Sequence, residues 1–155
     1  SSDLIRAGDV QWMSAGHGIE HSEYNADPAA PVHFLQIWIQ PERLNHAPAY
    51  AQRHFDPAAR RARWAVLASP DGAEGSLAIR QQARVLATRL HAGDALDLPL
   101  RRDQRYWLHV ATGALEIGAR RLAAGDALGL ESESGTLVLR GHADCSDVLV
   151  FELPG

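Results

Sequence analysis

His21 and Glu23 are the two residues of this chain best placed by type and spacing to do chemistry together. They stand two apart, and side chains at i and i+2 of a strand project from one face. An imidazole and a carboxylate aimed at one point make half of a metal site. The same spacing also fits an ordinary polar surface turn, and His-x-Glu alone does not choose between the two. The pair closes a stretch from Gly8 to Asn25 that begins with a Gly-Asp turn and passes a Gly-rich bend at 16–18.

The other candidate groups are more isolated. His109 falls in an apolar strand pattern, where a histidine satisfied by its surroundings is the default reading. His91 and His142 sit in turns, His46 and His54 in a polar connector, and His17 between two glycines. The single cysteine, Cys145, lies in Asp-Cys-Ser-Asp with no evident base beside it, so it reads as an indifferent thiol. One cysteine permits no intrachain disulfide and fits a reducing compartment. All fifteen basic residues are arginine, which closes Schiff-base and P-loop chemistry. A net charge of -4 argues against nonspecific nucleic-acid binding. No apolar run is long enough to span a membrane, and the start lacks the pattern of a signal peptide. A cytoplasmic location is the expectation.

Short strands must position these groups. Val32 to Gln40 alternates, with His33, Leu35, Ile37 and Ile39 on one face and Phe34, Gln36, Trp38 and Gln40 on the other, and Pro41 ends it. If the Phe34 face meets a barrel interior, Gln36 and Trp38 line a pocket beside His21; if the His33 face does, they belong to a contact between layers. Further strands are expected near 48–55, 63–68, 76–80, 84–90, 95–98 (ended by Pro99), 106–111, 114–117, 120–122, 127–130, 136–139 and 148–153. Turns rich in Gly, Pro and Asp separate them, which means an all-β sandwich or barrel. Ala7-Gly8-Asp9 returns as Ala124-Gly125-Asp126, 117 positions later, as two copies of one β module would give. Carried without gaps, His21 falls on Val138 and Glu23 on Arg140, so the second copy keeps the turn and lacks the ligands.

Gly8, Ser14-Ala15-Gly16 and His21-x-x-x-Asn25 together resemble the second conserved cupin motif, in the form found in the pirin family. Gln36-Ile37-Trp38-Ile39-Gln40-Pro41, Ala68-Ser69-Pro70-Asp71-Gly72 with Gly75-Ser76-Leu77, and Phe151-Glu152-Leu153-Pro154 agree with pirin-like quercetinases in the same order. The resemblance implies a cupin fold, a double-stranded β-helix. Its second barrel (74–155) would be complete and metal-free, its first represented by 1–55, with 56–73 as a connector.

The resemblance also implies a site. One divalent metal, Fe, Ni, Cu or Mn, would be held by His21, Glu23 and a His-x-His pair from the first cupin motif. Glu23 would act as ligand or as the base for a flavonol hydroxyl in O2-dependent ring opening, with Gln36 and Trp38 near the substrate. No His-x-His occurs in the sequence, and only seven residues precede Gly8. The chain therefore reads as a pirin-like protein without the first cupin motif. The expectation is weak or absent metal binding, no turnover by this chain alone, and dimer formation or strand exchange through residues 1–40. The alternative from another class is a non-enzymatic, metal-responsive binding or regulatory module.

Overall fold

One turn, used three times, sets the direction of the chain. In Arg6–Asp9, His91–Asp94 and Ala123–Asp126 the third residue is a glycine with φ of 92°, 87° and 91°. This is the left-handed position that a type II turn gives to glycine. In each turn the aspartate N–H donates back to the first residue's carbonyl at 2.9 Å. The aspartate carboxylate in turn accepts the first residue's N–H, at 2.9, 3.0 and 2.9 Å. The sequence echo at 7–9 and 124–126 is thus a real repeat of backbone geometry, and the turn at 91–94 is a further copy.

The structure, a computed structural model, describes residues 4–155. Its regular elements are strands apart from one 3-10 turn at Ala73–Gly75. In chain order they are β1 (Asp9–Ser14), β2 (Ala49–His54), β3 (Ala65–Ser69), β4 (Leu77–Ala78), β5 (Arg84–Leu90) and β6 (Ala95–Leu100). There follow β7 (Gln104–Thr112), β8 (Ala114–Ile117), β9 (Arg120–Ala123), β10 (Ala127–Glu131), β11 (Gly135–Gly141) and β12 (Ser146–Pro154). A six-stranded sheet, β10-β7-β12-β5-β3-β4, faces a four-stranded sheet, β6-β11-β8-β9, in a jelly-roll arrangement; β1 and β2 form a separate ribbon. The stretch 56–73, expected as a connector, contains β3, which the larger sheet takes in beside β5.

Period-two patterning decides what lies inside. Leu86, Leu90, Leu108, Val110, Val148 and Val150 of the large sheet meet Leu98, Leu115, Ile117 and Leu139 of the small one. The alternate residues, including Val85, Ala87 and Leu149, form a second cluster on the outer face of the large sheet. Val10 and Trp12 of β1, with Ile39 and Phe55, pack onto that outer face. The β1–β2 ribbon and the end of segment 32–40 are thus docked on the back of the barrel.

Most expected strand ends move by one or two residues, and two departures have a physical reason. β6 runs through Pro99, which pairs with Thr136. β6 is an edge strand, where the missing N–H costs no ladder bond. Val32–Gln40, expected as a strand, forms none. No neighbouring strand among the described residues offers it a ladder, and period-two apolarity without a partner does not make a sheet.

Candidate metal centre

β1 ends at Ser14 and hands the chain to a tight bend. Gly16 has φ of 56°, and a Cβ there would stand 2.0 Å from the His46 carbonyl oxygen. Only glycine admits that approach. Gly18 N–H then donates to the Ala15 carbonyl at 2.8 Å. Asn25 closes the far end of the segment. Its side-chain amide donates to Ala30 O at 2.7 Å, and its Oδ1 accepts from Asp27 N at 3.2 Å. His21 and Glu23 lie between these fixed points and are exposed.

The shared strand face expected for His21 and Glu23 is not what holds them. Residues 18–25 form no strand, because β1 is already finished and no ladder partner reaches them among the described residues. Both lie on the loop between Gly18 and Asn25.

Trp38 and Gln36 do line a recess. It is an open groove of about 690 Å³ between residues 35–40 and the outer face of the large sheet. Trp107, Phe151 and Leu149 form its floor, and Gln81, Arg105 and His109 add polar groups. Neither His21 nor Glu23 lines it. Ile39 packs against the outer-face cluster, while Trp38 is 89% exposed. The alternation does not sort the segment into two faces here: Leu35 and Ile37, which alternate with Gln36 and Trp38, are themselves 40% and 43% exposed. Trp107 and His109 were legible in principle from the alternation of β7, whose Leu108 and Val110 point inward. Gln81 and Arg105 carried no such signal.

The base of the β1–β2 ribbon is polar and well connected. His54 Nδ1 lies 2.7 Å from Asp9 Oδ1, and Gln52 Nε2 donates to Asp9 Oδ2 at 3.3 Å. The Arg6 backbone N–H first, and His54 second, hold the Asp9 carboxyl below the usual carboxylate range. Arg80 locks the ribbon to the barrel. Its guanidinium donates to Ser14 Oγ at 3.1 Å and Ala47 O at 2.8 Å, and sits 5.8 Å from the Trp12 ring centre.

The donor set does not fit a complete transition-metal site. Among the described residues no three of His, Cys, Asp and Glu gather around one point. His21 and Glu23 supply two donors where N/O sites of this class use three or four protein ligands. The second barrel offers no substitute, because Leu98, Leu108, Leu115, Leu139, Val110, Val148 and Val150 fill it. Its buried hydroxyls are engaged structurally. Ser146 Oγ bridges Ala114 N and Ala114 O at 3.0 and 2.8 Å, and Thr88 Oγ1 donates to Arg60 O at 3.2 Å. Val138 and Arg140, the gapless counterparts of His21 and Glu23, alternate with inward Leu137 and Leu139 and so face out of the barrel. The buried inner core is aliphatic apart from Tyr106, and these two positions do not face it.

Comparison with known proteins agrees with this architecture. The quercetinase C-terminal cupin domain family matches residues 66–153, and the pirin family matches residues 1–39. A quercetin 2,3-dioxygenase of Escherichia coli K12 is 36% identical over 155 residues, covering 99% of this chain and 64% of its own length. A pirin-like protein of Caulobacter vibrioides is 38% identical over 146 residues, covering 93% and 62% respectively. The crystal structure of the E. coli bacterial pirin YhhW in complex with nickel(II) superposes with a TM-score of 0.85 at 33% identity, over 96% of this chain and 62% of that one. The chain thus spans a little under two thirds of the length of these relatives. Two family matches in the expected order, and a jelly roll with a docked N-terminal ribbon, place the chain in the pirin family, with a quercetinase-type C-terminal cupin domain.

Proposed function

We propose that these residues belong to a metal-dependent flavonol dioxygenase of the quercetinase type and are inactive on their own. In this reading residues 1–55 are part of a first, metal-type cupin, and 74–155 are a second cupin without metal. His21 and Glu23 contribute two donors to a divalent metal. The observation that carries the reading is local: His21 and Glu23 sit exposed on the loop that follows β1, fixed by Gly16, Gly18 and Asn25, within the stretch that matches the pirin family. Relatives named quercetin 2,3-dioxygenase and a relative solved with nickel(II) support the substrate class and the divalent metal. Two donors on a solvated loop hold a metal weakly, and without further positioned ligands they do not tune it. A cytoplasmic site of action is consistent with a lone free thiol.

The test is metal content by mass spectrometry together with quercetin loss under air. The 155-residue chain is expected to carry well under one metal per molecule and to leave quercetin intact. Fusing an upstream cupin segment with a His-x-His pair should restore both, and Glu23→Gln in that fusion should abolish turnover. Stoichiometric metal with quercetin consumption by the chain alone would overturn the ligand count. Unchanged metal binding by the fusion after His21→Ala would overturn the assignment of His21.

A further inference from the structure

One short stretch of the second barrel reaches into the N-terminal part. Ile79 and Ala83 are buried in the outer-face cluster, so residues 80–82 are mounted between two fixed points. Ile79 N–H also donates to Ser69 O at 2.8 Å, which ties the stretch to β3. Each residue of 80–82 then meets the N-terminal part. Arg80 O accepts from Glu42 N at 3.0 Å, Gln81 Nε2 donates to Gln40 O at 2.8 Å, and Gln82 Nε2 lies 3.4 Å from Glu42 Oε2.

What these contacts hold is a single excursion of the chain. β1 ends at Ser14 and β2 begins at Ala49, and the residues between them include His21, Glu23, Gln36 and Trp38. Arg80 Nη1 donates to both stems of that excursion. It reaches Ser14 Oγ at 3.1 Å where the chain leaves β1, and Ala47 O at 2.8 Å where it returns. The stems also touch each other, since a Cβ on Gly16 would stand 2.0 Å from His46 O. The guanidinium itself is steadied by the Trp12 ring, 5.8 Å from its centre. Without Arg80 the stems would stay paired through Ser14 and Ala49, but that end of the ribbon would be free to shift against the barrel. The E. coli pirin structure superposes over ribbon and barrel together, so this docking occurs in a longer relative as well.

We infer that Arg80 is a positioning residue, through which the second barrel sets where the excursion carrying His21 and Glu23 stands. A rigid planar cation suits this task, because one side chain fixes two segments relative to each other and to its own anchor. The barrel that offers no donors of its own thus serves as the body against which the donor loop is placed. What His21 and Glu23 are placed for rests on the proposed function; the placement itself does not.

The experiment is a distance measurement by pulsed electron paramagnetic resonance on the 155-residue chain, with no metal added. In a Cys145→Ser background, nitroxide labels go on Ser22→Cys, between His21 and Glu23, and on Thr136→Cys, exposed on β11. The parent should give one narrow distribution of distances. Arg80→Ala should raise the displaced fraction by at least about tenfold, the effect of ~1.4 kcal/mol. Ser14→Ala removes one acceptor at an otherwise intact site and should give a smaller rise. Arg80→Lys should fall between the parent and Arg80→Ala. Asp9→Asn separates positioning from plain ribbon stability. It weakens the contacts to His54 and Gln52 at the opposite end of the ribbon, and should leave the Ser22 distances narrow. Unchanged distances in both Arg80→Ala and Ser14→Ala, or a rise in Asp9→Asn equal to that in Arg80→Ala, would overturn the inference. Failure of the upstream fusion to take up metal would instead sink the assignment of His21 and Glu23, and the measured placement would stand.

Discussion

Replacing Arg80 by alanine should loosen the N-terminal ribbon and leave the barrel intact. The Arg80 side chain is half-buried and reaches three things: Ser14 Oγ at 3.1 Å, Ala47 O at 2.8 Å, and the Trp12 ring, 5.8 Å from its centre. Each hydrogen bond from a partly solvated guanidinium contributes about 0.5–1 kcal/mol. The cation–π contact adds about 0.5–1 kcal/mol. Together they come to about 2 kcal/mol, holding β1 and the 46–48 connector against the barrel. Arg80 O, which accepts from Glu42 N at 3.0 Å, is unaffected by the substitution. None of the residues that Arg80 touches belongs to the barrel's inner core. Amide hydrogen exchange separates the two levels. In Arg80→Ala, amides of β1 and β2 should exchange about 30-fold faster, since every ~1.4 kcal/mol is tenfold. Those of β5, β7 and β12 should stay within about twofold of the parent. Arg80→Lys keeps a cation near Trp12 and should lose about half as much. Equal acceleration in ribbon and barrel would show that the two form one cooperative unit, and no change in β1 and β2 would show that the guanidinium carries nothing.

Gly113→Ala should destabilise the barrel by about 3 kcal/mol: Gly113 has φ of 78°, and an added Cβ would stand 2.4 Å from Cys145 O and 2.5 Å from Ser146 Oγ. A denaturant midpoint equal to the parent's would refute this. The acid limb of stability should depend on the turn aspartates. The Arg61 guanidinium beside Asp94, and the Arg6 N–H and His54 beside Asp9, hold both carboxyls below their ordinary range. A depressed carboxyl contributes stability that is present above its unfolded value and is lost as pH falls through the folded one. Asp94→Asn and Asp9→Asn should therefore cost stability at neutral pH, converge with the parent well below about pH 4, and flatten the pH profile between. Thermal melts across that range check the linkage, and parallel profiles for variant and parent would refute it.

The sequence alone determined the fold class, because turn chemistry is local. Gly-Asp at 8–9, 93–94 and 125–126, and Ser69-Pro70-Asp71-Gly72, are conformational statements that need no partner. The strands between them fell where period-two patterning put them, with β5 and β8 at the residues expected. The family was legible for the same reason: Gly16, Gly18 and Asn25 fix a loop by their own backbone and side-chain geometry, and that spacing is what the motif records. Tertiary structure decided everything that depends on a neighbour. It let β6 continue through Pro99, because only the sheet order reveals an edge strand. It left Val32–Gln40 without a strand, because alternation describes a surface and a ladder needs a second one. It placed His21 and Glu23 on a loop rather than on a shared strand face, and turned Val138 and Arg140 outward where a gapless repeat had set them against the ligands. Which way a strand faces is fixed by what covers it, and that contact joins residues far apart in the chain, as when Ile39 packs onto Leu149 and its neighbours on the outer face of the barrel.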